Sequence, residues 1–452
     1  MKRRNFIKLS FAACGCLVMP SLVTASTVDY SQVDFDKSIY DANAPQVIMV
    51  YLYGGASQLS GNLTNIDEIK TKSQSSYDSY FRGITKTSNG FWQEAGGTHM
   101  EDMVANGDMT LFRTCYSKVR EQNNNKSHGS CTNQNQKGSF DESNAGIVTN
   151  LTNILANVGI ADETSVMPFV SMEGDSHFYA PGNSTVPSYL KAVGLNENLD
   201  NPYKRYVRYW FEYTADERNI DGYNDNNETG FDPAFNSAMN AMAQKKNLNP
   251  KIKAAFDKQE PLSTFINDIS QTTTPDLGAD AYPTNSTFAR TLESSIKVLA
   301  HNPDTKVITM NTGGLGGWDD HNDARNYVTR CEEFFKTLKS SMAHLKKLNK
   351  QNNISIMVFA EFGRGVNLNS ALGWDHGNLQ NFIVLGGKNY FTHRGAVGET
   401  ILDDSGSVNR LYMKPKEGTE SYEHLSIAAT LYQVFGITNP DVLTGGYGAV
   451  NL

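Results

Sequence analysis

Short, unbroken apolar runs punctuate the chain at Val47 to Tyr53, Met109 to Phe112, Val166 to Val170, Lys306 to Met310, Ile354 to Phe359 and Asn381 to Leu385. None alternates with polar residues, so each predicts a strand buried on both faces. Between Tyr327 and Leu348 the pattern changes. Val328, Cys331, Phe334, Phe335, Leu338, Met342, Leu345 and Leu348 recur at steps of three and four, the signature of an amphipathic helix. Buried strands alternating with such helices predict an α/β fold: a mostly parallel sheet with helices on both faces. The stretch from about Asn196 to Ala289 differs. It is rich in Asn, Asp, Lys and Gln and shows no buried-strand pattern, which predicts a polar helical insertion on a single domain spanning 26–452.

The first 25 residues read as a targeting segment. Lys2-Arg3-Arg4-Asn5-Phe6-Ile7-Lys8 has the twin-arginine pattern, Leu9 to Val23 is apolar, and Val23-Thr24-Ala25 offers small residues for cleavage. Twin-arginine export to the periplasm or beyond is the expectation, with an ordinary secretory leader or a lipoprotein site at Cys14 as alternatives. Cleavage would leave Cys115, Cys131 and Cys331. No Cys-x-x-Cys spacing exists, so zinc–thiolate sites are not expected; Cys115 and Cys131 are either a disulfide or buried free thiols.

Composition narrows the partners. With 39% hydrophobic and 19% charged residues among 452, the chain is that of a folded protein. A net charge of −8 argues against nucleic acid, whose binders need a basic surface. No apolar run beyond the leader is long enough to span a bilayer, so no transmembrane segment is expected after its removal.

Ligands of an open parallel sheet bind beyond the carboxyl ends of its strands. Polar motifs stand at those places: Gly54-Gly55-Ala56-Ser57, Gly316-Gly317-Trp318-Asp319-Asp320-His321, and Glu361-Phe362-Gly363-Arg364. Trp374-Asp375-His376-Gly377 precedes a strand instead, so its edge is open. Carboxylate oxygen and imidazole nitrogen together suit a divalent ion, zinc first, with manganese or magnesium as alternatives. Ser127-His128 begins a very polar stretch, read either as a surface turn or as a loop that carries a nucleophile beside a metal.

These motifs, in this order, resemble a large group of bacterial proteins, domain-of-unknown-function family 1501 of the alkaline-phosphatase superfamily. The resemblance covers about Pro45 to Leu190 and Pro283 to Gly436, and Ser426 to Leu431 resembles the superfamily's final helix. It implies an alkaline-phosphatase-like core and a metal-dependent hydrolase acting on phosphate or sulfate esters. By position it implies Asp319, His321, Asp375 and His376 as metal ligands, Ser127, His128 and Glu361 as catalytic residues, and Ser57 and Arg364 as cofactor-binding positions. Relatives carry an aspartate where this chain has Ser57, and Phe362 stands where phosphatases have a histidine. Those departures keep open an alternative: a non-catalytic member that binds a small anionic ester or a polysaccharide.

Overall fold

The computed structural model describes residues 29–451 apart from 74–76, 82, 198, 404–409 and most of 200–270. The expected leader, with Cys14 and Cys16, and most of the expected insertion lie outside the described residues.

Twelve strands are described, eight of them in one sheet: β1 (Gln46–Leu52), β2 (Met109–Tyr116), β3 (Phe169–Ser171), β4 (Val193–Gly194), β5 (Val307–Asn311), β6 (Ile354–Ala360), β9 (Leu379–Gly386) and β10 (Gly395–Val397). The others form two ribbons, β7 (Gly363–Arg364) with β8 (His376–Gly377), and β11 (Thr400–Asp403) with β12 (Tyr412–Pro415). The main sheet runs in the order β10-β2-β9-β6-β1-β5-β3-β4. Its strands are parallel except β9, which is antiparallel to both β2 and β6.

Every residue of β1 and β6 is buried, as the unbroken apolar runs require. Successive side chains alternate between two cores. Ile48, Val50 and Leu52 join the core built with the Thr287–His301 and Asn326–Lys347 helices. Val47, Met49 and Tyr51 join the core built with the Ile147–Asn157 and Ser426–Val434 helices. Each such buried side chain contributes about 1.5–3 kcal/mol. The expected α/β class, a mostly parallel sheet covered on both faces, is the one observed.

Cys115, Cys131 and Cys331 are buried free thiols, which settles the choice left open for the first two. Burial pushes the Cys115 thiol up, so it stays neutral and inert. Among the described residues no helix is long and apolar enough to cross a membrane.

Candidate metal centre

The centre is built from the loops at the carboxyl edge, and glycine lets them close on one another. Gly54 and Gly55, just past β1, have φ of 106° and 75°. A Cβ on Gly54 would lie 2.5 Å from the Asp319 backbone nitrogen. The loop after β5 therefore rests directly on the glycine. Trp318 anchors that loop: its backbone N–H donates to Tyr53 (3.0 Å), and its buried indole donates to Thr312 Oγ1 (2.8 Å). Asp319, the next residue, is thereby held outward. Gly54→Ala meets backbone at an unfavourable φ and is expected to cost about 3 kcal/mol. A denaturant midpoint equal to wild type would show that the loops do not depend on this contact.

A second set of contacts carries His376 to the same edge. Because β9 runs against its neighbours, it begins where they end, with Leu379 opposite Tyr116 at the close of β2. The segment before it pairs as β8 with β7, so that His376 lies opposite Arg364. Trp374 N–H donates to Asp320 (2.7 Å), and Asn369 Nδ2 donates to the His321 carbonyl (3.0 Å). These bonds stitch the loop of His321 to the loop of His376.

His128 comes from a third element. The polar stretch expected as a loop is a helix, His128–Lys137, capped by left-handed Gly138. Its hidden face is polar rather than apolar, and Arg120 satisfies it. The buried Arg120 guanidinium donates to Gln134 Oε1 (3.0 Å), Asn135 Oδ1 (2.7 Å) and the Glu361 carbonyl (3.0 Å). Asn135 Nδ2 donates to the Ala360 and Glu361 carbonyls (2.8 and 2.9 Å). The helix is thus bolted to the end of β6.

Four side chains converge as a result. His128, Asp319, His321 and His376 each offer a donor atom, and these atoms all lie within 4.8 Å of one another. It is the only such group of three or more among the described residues. His321 Nε2 and His376 Nε2 are 2.6 Å apart. Asp319 Oδ2 is 3.5 Å from His128 Nε2, and its Oδ1 is 3.8 Å from His321 Nε2.

What stands behind each imidazole fixes its orientation. His376 Nδ1 is 2.7 Å from the Lys126 carbonyl, which can only accept, so the proton sits on Nδ1 and Nε2 offers a lone pair. His128 Nδ1 is 2.6 Å from Glu361 Oε2, with the same consequence. Glu361 in turn accepts from the Gly54 N–H at 2.8 Å. His321 Nδ1 faces Asp375 Oδ1 at 3.6 Å. Burial, with the charges of Arg364 and His321, pushes the His376 imidazole down to about 4, so it is neutral at pH 7. For Asp319 burial acts upward, but the Arg364 hydrogen bond at 2.7 Å and the Arg364 charge outweigh it and hold the carboxyl below its usual range.

The expected site residues separate accordingly. Asp319, His321 and His376 come together, and His128 joins them as a fourth donor. Asp375 lies behind His321 rather than among the converging atoms. Glu361 is turned toward His128 and Gly54, and buried Arg364 holds Asp319. Ser57 is buried; its hydroxyl accepts from the Leu59 N–H (3.4 Å) and has no hydrogen bond to the cluster among the described residues. Ser127 is exposed at the start of the His128–Lys137 helix and makes no side-chain cap hydrogen bond. Phe362 is buried against His376 and His128, with ring centroids 4.4 and 5.0 Å away.

A cleft of about 450 Å³ opens on the centre, lined by Ser127, His321, Asp375 and His376. Lys126, Arg410 and Tyr412 also line it, and none was singled out by motif. Only the position of Lys126 beside Ser127 could have drawn notice to one of them.

Together, fold and site define a class: an open α/β sheet protein with a His/Asp cluster of metal-binding type at its carboxyl edge. The chain belongs to the family described as "Protein of unknown function (DUF1501)", whose model matches residues 44–400. No curated protein matches the sequence. Among solved structures it is similar to alkaline phosphatase from the Antarctic bacterium TAB5, at 10% identity and a TM-score of 0.33, over 87% of this chain and 98% of that one. It is similar to the zinc complex of the C-terminal periplasmic domain of EcEptC from Escherichia coli, at 10% identity and a TM-score of 0.35, over 90% and 88%. A third is Ps i-CgsB in complex with k-i-k-neocarrahexaose, at 8% identity and a TM-score of 0.33, over 90% and 74%. Such distant likenesses transfer no residue role.

Proposed function

We propose that this chain is an exported, metal-dependent hydrolase of phosphate or sulfate esters, with one divalent ion, zinc first, held by His128, Asp319, His321 and His376. One observation carries the reading. Three imidazoles turn Nε2 toward a common point, and behind each Nδ1 lies an acceptor: Glu361, Asp375 or the Lys126 carbonyl. Metal-binding histidines are typically oriented by such partners.

The donor set fits the ion. Tetrahedral zinc with contacts of 2.0–2.1 Å separates its ligands by about 3.4 Å, near the 3.5 and 3.8 Å from Asp319 to His128 and His321. The 2.6 Å His321–His376 contact must widen on loading, with His321 taking the tautomer that carries its proton on Nδ1, facing Asp375, and frees Nε2 for the ion. A bound ion that expands to a fifth ligand would supply Lewis acidity against charge developing on an ester oxygen. Ser127 would present the nucleophilic hydroxyl at the N-terminus of a ten-residue helix, where negative charge is favoured. Glu361 and Arg364 would hold His128 and Asp319 in place.

A second reading, a non-catalytic binder of an anionic ester or polysaccharide, is favoured by two observations. Four donors already complete a tetrahedral shell. Ser57 and Phe362 offer no second carboxylate–imidazole set.

Zinc-loaded protein assayed against p-nitrophenyl phosphate and p-nitrophenyl sulfate separates the two. Turnover that falls about a hundredfold or more in Ser127→Ala is expected. Bound zinc without turnover of either ester would transfer the case to the binding reading. For export, Arg3→Lys with Arg4→Lys should trap the precursor in the cytoplasm; normal periplasmic accumulation would mark an ordinary secretory leader.

A further inference from the structure

We infer that the cleft selects ligands carrying two anionic groups, one for the metal and a second, a short distance away, for Lys126 and Arg410. This rests on the metal reading above and adds a substrate class to it.

The cleft falls within the range of small-molecule sites, roughly 300–1,000 Å³, and joins the two cations to His321 and His376 in one space. Lys126 is placed rather than free: its Nζ lies 4.6 Å from the centre of the Tyr412 ring. Neither Lys126 nor Arg410 forms an ion pair within 4 Å among the described residues. Two like charges share one rim with a single carboxylate, Asp375, which leaves the rim in positive excess that an anion relieves.

The charge balance of the centre gives the same answer. Lys126, Arg410 and Arg364 stand against Asp319, Asp375 and Glu361, so the metal-free centre is close to neutral. A divalent ion leaves it in positive excess by its own full charge. A sulfate monoester relieves half of that excess and a phosphate monoester, close to doubly charged at pH 7, nearly all of it, so a second anionic group adds its own partner for Lys126 and Arg410 at the rim. Lys126 also links the two halves. Its carbonyl orients His376, and its side chain lines the cleft next to Ser127.

Non-hydrolysable probes test this by calorimetry on the zinc-loaded full chain, with zinc content measured on the same sample. The probes are ω-carboxyalkylphosphonates with two to five methylenes, each compared with the alkylphosphonate of equal length. At least one carboxylate probe should bind about tenfold more tightly than its partner, the worth of one charge-assisted contact. That ratio should collapse toward one in Lys126→Gln combined with Arg410→Gln, which keeps the backbone carbonyl that orients His376. A chain that holds zinc but shows no preference at any length overturns this inference alone. A preference that survives the double substitution overturns it too, by placing the second anion elsewhere. A chain that holds no zinc overturns the metal reading with it.

Discussion

Replacing Arg364 by alanine is expected to remove about 3–5 kcal/mol of stability and to loosen the centre's hold on Asp319. The guanidinium is buried and each arm is used. Nε donates to the Gly55 carbonyl at 2.6 Å, Nη1 to the Trp374 carbonyl at 3.0 Å, and Nη2 to Asp319 Oδ1 at 2.7 Å and to the Gly54 carbonyl. One side chain thus ties together the loops after β1, after β5 and before β9. Truncation leaves several buried carbonyls without a donor and releases the Asp319 carboxylate. Arg364→Lys should rescue little, because an ammonium cannot reproduce a planar fork aimed at three loops. Urea midpoints of the two variants, with zinc affinity alongside, check this. A lysine variant of wild-type stability would show that charge alone matters at this position.

The second large effect is expected at the metal itself. His376→Ala should lower zinc from about one ion per chain to less than about a tenth of that, since loss of one ligand of four removes much of the affinity. The fold should survive. His376 is only half-buried, and β8 is held to β7 by backbone pairing and by the Gly365 N–H donating to the Asp375 carbonyl at 2.7 Å. Glu361→Gln tests the layer behind the ligands. An amide can still accept from His128 Nδ1, but without the carboxylate charge, and zinc affinity should fall about tenfold or more. Zinc content in His376→Ala equal to wild type would remove His376 from the ligand set.

The strands were legible because burial on both faces keeps the runs almost wholly apolar, Ser355 being the one polar residue inside either: Gln46–Leu52 and Ile354–Ala360 each fall within a residue of their expected bounds. The long Asn326–Lys347 helix was legible from its apolar stripe in the same way. The direction of β9 was not. Apolar runs carry no sign of which way a strand points, so the edge occupied by Asp375-His376 had to come from the pairing of Tyr116 with Leu379. The His128–Lys137 helix was hidden for the opposite reason. Its buried residues include Thr132, Gln134, Asn135 and Gln136, which no hydrophobic pattern marks, and their partner Arg120 lies on a separate helix. The fourth converging donor, His128, therefore lay in a segment that reads as surface. Asp319, His321 and His376 were recognisable because each follows a tryptophan that anchors its loop or stands within two residues of such an aspartate. The roles of Lys126, Arg410 and Tyr412 depend on three loops meeting, and nothing local announces that.

Three imidazoles and one carboxylate binding a single ion would be seen by X-ray absorption at the zinc edge of the loaded wild-type chain. About one zinc per chain is expected, with a first shell of nitrogen and oxygen at roughly 2.0–2.2 Å and no sulfur. Multiple scattering should correspond to three imidazole rings and diminish in His376→Ala. A chain that retains no zinc, or a zinc shell without imidazole scattering, would contradict it.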